Sequence, residues 1–452
     1  MKNMLLLPRF CIFFILLIFS YIANAQLKEV DFSGAVGSKD WTRGWTNFKP
    51  TEAEYPATND VLSGVINSNT TLSKKNCYLL KGFVYVTNNA TLTIEAGTII
   101  RGDKDSRAVL IICKGAKINA LGTEIEPIVF TSNQAKGNRT PGDWGGIIVL
   151  GNSIVNNTNG TSVAEGIANP KLGTYGGTDY HDYSGVMRYV RIEFPGFKYV
   201  NNEKEHNGLT MCGLGKKTKI EFIQISYSKD DSFEWFGGTV SCNNLISFKA
   251  QDDDFDVTNG YSGTLQFGIA LRNPSLKEAT GSSCIEADSY NKGEETTYNT
   301  NLLTKCVISN FTLISSELSK DQITSNIVQN KYAVAIRGNA QIWVFNSLMV
   351  GFQHGFYVAG AESESYLEDN TIKLKNNFVV GAIAPIKAEV ESRIDLNSWF
   401  VKREFTNTYL KIYHKSIIKD PFNQITPIFL PLADSFLYKS SSFKDLKKYI
   451  VQ

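Results

Sequence analysis

One stretch, residues 226–256, limits what this chain can fold into more than any other. Asp230, Asp231, Phe233 and Glu234 return 22 residues later as Asp252, Asp253, Phe255 and Asp256. Just before them, Ile225 and Tyr227 return as Ile246 and Phe248. A weaker third copy, Ser283-Cys284-Ile285-Glu286, follows 30 residues after the second, with Ile285 in the place of Phe255. A period in the twenties carried by short apolar runs marks a chain that coils and stacks on itself.

The surrounding sequence agrees. Short β-branched or aromatic runs recur at 83–86, 91–94, 109–112, 128–130, 145–151, 186–194, 208–212, 219–228, 244–250, 264–272, 306–314, 332–338 and 341–352, with Gly, Asn and Asp between them. Almost no helical period intervenes, which excludes α/β folds. A sandwich or propeller and a parallel β-helix both survive that test. Apolar residues at coil-length intervals, separated by polar turns of variable length, favour the all-β parallel β-helix. In such a coil each inward side chain lies about 4.8 Å from its counterpart in the next turn, and Phe233, Phe255 and Ile285 form one column. Polar insertions at 133–142, 156–184, 196–206, 273–282 and 288–303 leave the coil on its sides, where binding surfaces form.

The ends read differently. Lys2 and Arg9, an apolar run over 10–19 and the small residues of Ala23-Asn24-Ala25 predict a secretory signal peptide over 1–25. Residues 26–76 are loop-rich and predict an N-terminal cap, since an open solenoid end exposes apolar surface and unpaired strand edges. The coil is assigned to 77–360, and the last coils with a C-terminal cap to 361–452. No later segment is long and apolar enough to cross a bilayer. Export leaves periplasm, outer-membrane surface and extracellular space all open.

Without Lys2 and Arg9, 44 basic residues face 44 acidic ones. That balance argues against a nucleic-acid partner and against a polybasic grip on lipid. Six cysteines remain beyond the leader (77, 113, 212, 242, 284 and 306), several inside apolar strands. They read as small core residues with room for one or two disulfides. The four histidines are scattered and no CxxC occurs, so zinc has no support.

The repeat also stacks acids. With Phe233 and Phe255 inward, Glu234 and Asp256 point outward, and Glu286 continues the column. Two carboxylates about 4.8 Å apart repel by roughly 3 kcal/mol at an effective dielectric of 20. A calcium ion, with Ca–O distances of about 2.3–2.6 Å, bridges such a pair, and Asp230, Asp231, Asp252, Asp253 and Asp254 add ligands from the turns. The alternative is a structural ladder in which these acids accept backbone N–H bonds at successive bends, with Lys229 and Lys249 close by.

Trp144, in Asp143-Trp144-Gly145-Gly146, and Trp235, before Gly237-Gly238, are candidate sugar platforms; each equally fits a ring packed over the glycines of a tight turn. Arg101-Gly102-Asp103 and the Asp179, His181, Asp182 loop read as solvated turns. Two functions compete. A non-catalytic module binding glycan or a cell-surface protein needs only a rigid face, insertions and exposed aromatics. A calcium-dependent lyase acting on acidic polysaccharide needs a base as well, for which Arg191, Lys249 and Arg272 are the candidates; a glycoside hydrolase needs two carboxylates of split pKa. Arg191 and Arg272 with the two tryptophans make up the candidate binding set.

Five passages carry a resemblance: TIEAGTIIRGD (93–103), PGDWGGIIVLGNS (141–153), GVMRYVRIEFPG (185–196), the DDSFEWFGG passage (207–240) and the DDDFD passage (245–272). With WTRGWTNFKP near the start they span most of 40–360. Together they resemble a family of exported right-handed parallel β-helix proteins abundant in Bacteroidota. The resemblance implies that fold and an envelope or secreted location, and no established activity. Members often carry a lipid anchor or a C-terminal sorting domain, and this chain shows neither pattern.

Overall fold

A computed structural model describes residues 27–167, 169–197, 205–273, 282–290, 297–315, 331–389, 393–411 and 417–447. The segment predicted as a signal peptide lies outside them. Among the described residues, 27 strands pair in parallel into one continuous sheet that winds from Asp60–Ile66 to Thr408–Leu410. The chain is a right-handed parallel β-helix.

Each turn of the helix has three faces. In the coil that carries the second acidic repeat, residues 242–243 lie on the first face, 245–248 on the second and Phe255–Thr258 on the third. Their partners one coil earlier are 220–221, 223–226 and Phe233–Phe236. The predicted phenylalanine column is present: Phe233 faces Phe255 and Phe255 faces Ile285. The two rings stack 5.3 Å apart at 9°. Inside, Leu, Ile, Val and Phe from all three faces form one core that runs the length of the coil, so each turn buries its apolar side chains against the next.

One detail of register differs from expectation. The strand before the acids keeps the same 22-residue offset, so Ile225 faces Ser247, and Gln224 faces Ile246. The cause is the bend. Tyr227 and its counterpart Lys249 both sit in the left-handed region, at φ 58° and 61°, and the turn has the same length in both coils. Chemical likeness between Ile225 and Ile246 is therefore misleading.

The corner between the first and second faces is made by single residues with positive φ: Tyr189, Phe222, Asn244, Phe267, Asn310, Asn346 and Asn376. Asparagine tolerates that conformation better than other non-glycine residues. At Gly268, just past the corner, a Cβ would lie 2.2 Å from the Phe311 ring, so the aromatic core there requires glycine.

The N-terminal segment is not an end cap. Residues 27–57 run along the flank of the coil as a strap. Gln266 holds it by bonding the N–H and C=O of Lys28 at 2.7 and 2.8 Å, and Gln224 does the same for Asn47. Trp45 is fully buried against Tyr189 and Phe222. Strands Asp60–Ile66 and Thr70–Leu72 already belong to the first coil, and the former leaves Val61 and Val65 more than half exposed. Flanking aromatics at the bends supply an apolar seam, and that seam draws the tryptophans sideways rather than over the end.

At the other end, the coil continues through Lys373–Lys375, Phe378–Val380 and Ala384–Ala388. The short helix Leu396–Phe400 closes it, burying Trp399 and Phe400, the latter 5.7 Å from Phe356. Asp395 caps that helix by accepting from the N–H groups of Asn397 and Ser398. Residues 417–447 return along the flank and bury Ile418, Leu437 and Phe443. The six cysteines among the described residues are buried thiols without disulfide bonds.

Candidate functional site

The longest insertions in the sequence leave the coil on either side of the third face, between its strands and those of the neighbouring faces. On its upper half the segment 151–184 lays Ala164, Ile167 and Tyr175 over Ile111, Ile148, Leu150 and Cys212, so that half is closed and apolar. Below it the outward column turns polar: Thr210, Glu234, Asp256 and Glu286 lie side by side on successive strands. The sequence places the last three correctly.

These acids fall into two groups with different chemistry. Asp253 and Asp254 are structural. Asp253 accepts from the N–H and hydroxyl of Ser283. Asp254 accepts from Ser247 and forms a 2.9 Å ion pair with Arg272, both side chains fully or almost fully buried. Arg272 also donates to Ser283 O and Ser282 Oγ at 2.9 and 2.7 Å. This is the ladder chemistry, one coil bracing the next.

The second group converges with fewer such partners. Carboxylate oxygens of Asp231, Glu234 and Asp256 lie within 4.8 Å of one another. Asp231 accepts the Asp253 N–H at 2.8 Å, and Glu234 accepts from the Asn207 amide. Asp256 Oδ1 is buried and accepts no hydrogen bond from any described residue. Burial, and then repulsion from the other acids, hold all three carboxyls well above the usual range. Two further groupings share the spacing, Glu205 with Asp230 and Asp252, and Asp231 with Asp252 and Asp253. The donors are all oxygen, and their separation matches an ion with metal–oxygen distances of about 2.3–2.6 Å, the calcium range. The orphaned Asp256 oxygen is the feature a bound cation would satisfy.

Glu286 is answered differently. The Arg337 guanidinium pairs with it and reaches Asp288 Oδ2 at 3.6 Å. Burial, and then Asp253, push the Asp288 carboxyl up to about 7. Arg337, Asp288 and Asn207 all belong to this face and were not singled out in the sequence. A signal existed for Arg337, which directly follows the strand YAVAI that stacks on the Glu286 strand.

The other candidates fall elsewhere. Trp144 is 1 % exposed, its Nε1 donates to Glu193 O at 2.8 Å, and its ring would meet a Cβ on Gly102 at 2.5 Å. Trp235 is fully buried, stacked on Phe233 and tilted against Tyr261. Neither is a sugar platform; each ring fills the space beside a glycine or inside the coil. Arg191 lies under the strap, its guanidinium 3.4 Å from Trp45 O and 3.7 Å from the buried Glu193. Lys249 sits over the Phe248 and Tyr227 rings at the corner. Arg272 is committed to Asp254. None of the three candidate bases is placed to serve the acid trio.

The sequence profile of a pectate-lyase-like β-helix domain matches residues 64–411, the span from the first coil to the last. No curated protein and no solved structure matches the chain. Three-faced parallel coiling, the phenylalanine column and that match lead to one conclusion: the chain belongs to the pectate-lyase-like β-helix domain family.

Proposed function

We propose that the protein is a non-catalytic, extracytoplasmic binding module whose third face holds a calcium ion and, through it, an acidic glycan. The observation that carries this reading is the Asp231, Glu234 and Asp256 trio, with Asp256 Oδ1 buried and unpartnered. Calcium takes 6–8 oxygen ligands. Three side chains leave coordination positions open, which the carboxylate and hydroxyl oxygens of a uronate polymer would fill. The leader-like sequence over 1–25 supports export. Among the described residues, no helix is long and apolar enough to cross a membrane.

A calcium-dependent lyase is the second reading, favoured by the family match and by Arg337 on the same face beside the column. In that reading the cation would polarise the uronate acid group and the base would be a residue of this face. A hydrolase has no such support. Its two carboxyls need environments that push their pKa values apart, and here the trio shifts in one direction.

The test is calorimetric titration of the cation-free chain with calcium chloride, then with polygalacturonate and alginate in the presence and absence of chelator. Saturable calcium binding, and polymer retention that chelator abolishes, support the module. Appearance of ultraviolet-absorbing unsaturated product selects the lyase. Absence of calcium binding removes both.

A further inference from the structure

We infer that the flank of the coil carries a second ligand site, a pocket for a neutral saccharide between the N-terminal strap and the positive-φ corner. It is separate from the acidic face and independent of the reading given for that face.

The pocket lies between two stretches of the strap that are tied to the coil, Phe32 and Ala35 on Phe267, Asn310 and Thr312, and Trp41 and Trp45 on Phe222. Gln266 pins Lys28 and Gln224 pins Asn47, each through a paired donor and acceptor contact. Residues 37–41 line one side and the corner residues Tyr189, Phe222, Asn244 and Phe267 the other, around a cavity of about 410 Å³, within the range of about 300–1,000 Å³ that small-molecule sites occupy.

At its base is Asn244, 8 % exposed and at φ 56°. The equivalent asparagines further along the corner all bond the chain segments that cross them. Asn310 donates to Phe32 O at 2.8 Å and accepts from Gln266 at 3.2 Å. Asn346 donates to Ser442 O at 3.2 Å, and Asn376 to Ser440 O at 2.6 Å. Asn244 has no such partner among the described residues; its amide lines the pocket instead. Without such a partner, that amide is met by water in the pocket, and a ligand offering both a donor and an acceptor replaces that water with two directed bonds.

The walls select the ligand class. Phe222 and Phe267 occupy the corner positions one coil to either side of Asn244, and Trp41 closes the opening from the strap, 6.1 Å from Phe222. Apolar rings beside the Asn244 amide match a pyranose, whose C–H faces pack on aromatics while adjacent hydroxyls bond the amide. The charged lining residues, Lys28 and Lys39 against Asp40 and Glu124, balance in sign. That favours an uncharged sugar over a uronate or an amino sugar.

The experiment titrates the full exported chain with short neutral gluco-, manno-, galacto- and xylo-oligosaccharides, following tryptophan emission with calorimetry as a second readout. At least one series should bind saturably and shift the emission of Trp41, with the same affinity in chelator. Asn244→Gly keeps the positive φ without strain, so it should leave the thermal midpoint unchanged and weaken binding about tenfold or more. No saturable binding by any series overturns the inference. Binding undiminished in Asn244→Gly, or abolished by chelator, overturns it too, the latter by placing the sugar on the acidic face.

Discussion

Two polar columns run along this coil, and they behave oppositely. At the corner, Asn310, Asn346 and Asn376 stack at the strand spacing, and the Asn376 amide donates to Asn346 Oδ1 at 2.8 Å while Asn346 accepts the Ser442 N–H. On the third face, Glu234, Asp256 and Glu286 stack at the same spacing, yet their carboxyls are driven toward the neutral form or need Arg337. The geometry is shared and the chemistry is not. An amide is both donor and acceptor, so copies of it satisfy one another. A carboxylate is acceptor only, so each copy adds to a deficit that something else must meet. Repetition stabilises the first column and charges the second.

The largest expected effect tests the self-satisfied column. Asn346→Ala removes an acceptor for Asn376 and Ser442 and places a Cβ-bearing apolar residue at φ 52°. It should cost about 2–4 kcal/mol, read as a lower denaturant midpoint that calcium does not restore. The charged column should respond to calcium instead. At a concentration of about 100 times its dissociation constant, the ion should add about 2.7 kcal/mol to the native state, a rise of ~3 °C in thermal midpoint. Asp256→Asn should abolish that rise while making the cation-free chain more stable than the parent.

A pH series separates the columns further. Asp231, Glu234, Asp256 and Asp288 all have raised carboxyl pKa values in the folded chain, so the native state holds more protons than the unfolded state above about pH 4. Stability of the cation-free chain should therefore fall as pH rises above about 4.5, and the fall should become shallower beyond about 7, where Asp288 gives up its proton in the folded chain as well. Calcium should flatten the curve at its alkaline end, because it prefers the deprotonated acids. A midpoint that instead climbs with pH in chelator would mean the acids are already answered within the chain. The smallest effect belongs to Arg337→Gln. Its guanidinium is 38 % exposed, so solvent screening limits the loss to about 1 kcal/mol or less, visible as a small drop in midpoint that calcium partly offsets.

The coil and its acidic column were legible because a 22-residue period fixes both which residues stack and which side they face. Phe233 over Phe255 needed nothing more than counting, and Ile285, 30 residues further on, followed from the likeness of Ser283-Cys284-Ile285-Glu286 to the earlier copies. Three things were not legible, each for a physical reason. The offset of the preceding strand was read one residue short, because Ile225 and Ile246 look alike and the bend that sets the true pairing lies at Tyr227 and Lys249. The tryptophans of DWGG and FEWFGG carry the same local pattern whether a ring covers a glycine or faces water; only burial beside Gly102 and against Tyr261 decides it. Arg337 and Asn207 reach the acids from other coils, and no local spacing links a residue to a partner 51 or 27 positions away.

The strap has a mechanical consequence. A stack in which every turn touches only its neighbours can fray from either end, one rung at a time. Here one segment touches Val307 and Phe345 through the cluster around Leu27, and Arg101 through the carbonyl of Pro56. It thus lashes distant rungs together, and none of those rungs can peel away while the lashing holds. Under load, such a rod should give way in one abrupt rupture rather than a sawtooth, and its resistance should depend on the side chains that hold the strap, Gln224, Gln266 and Arg101 among them.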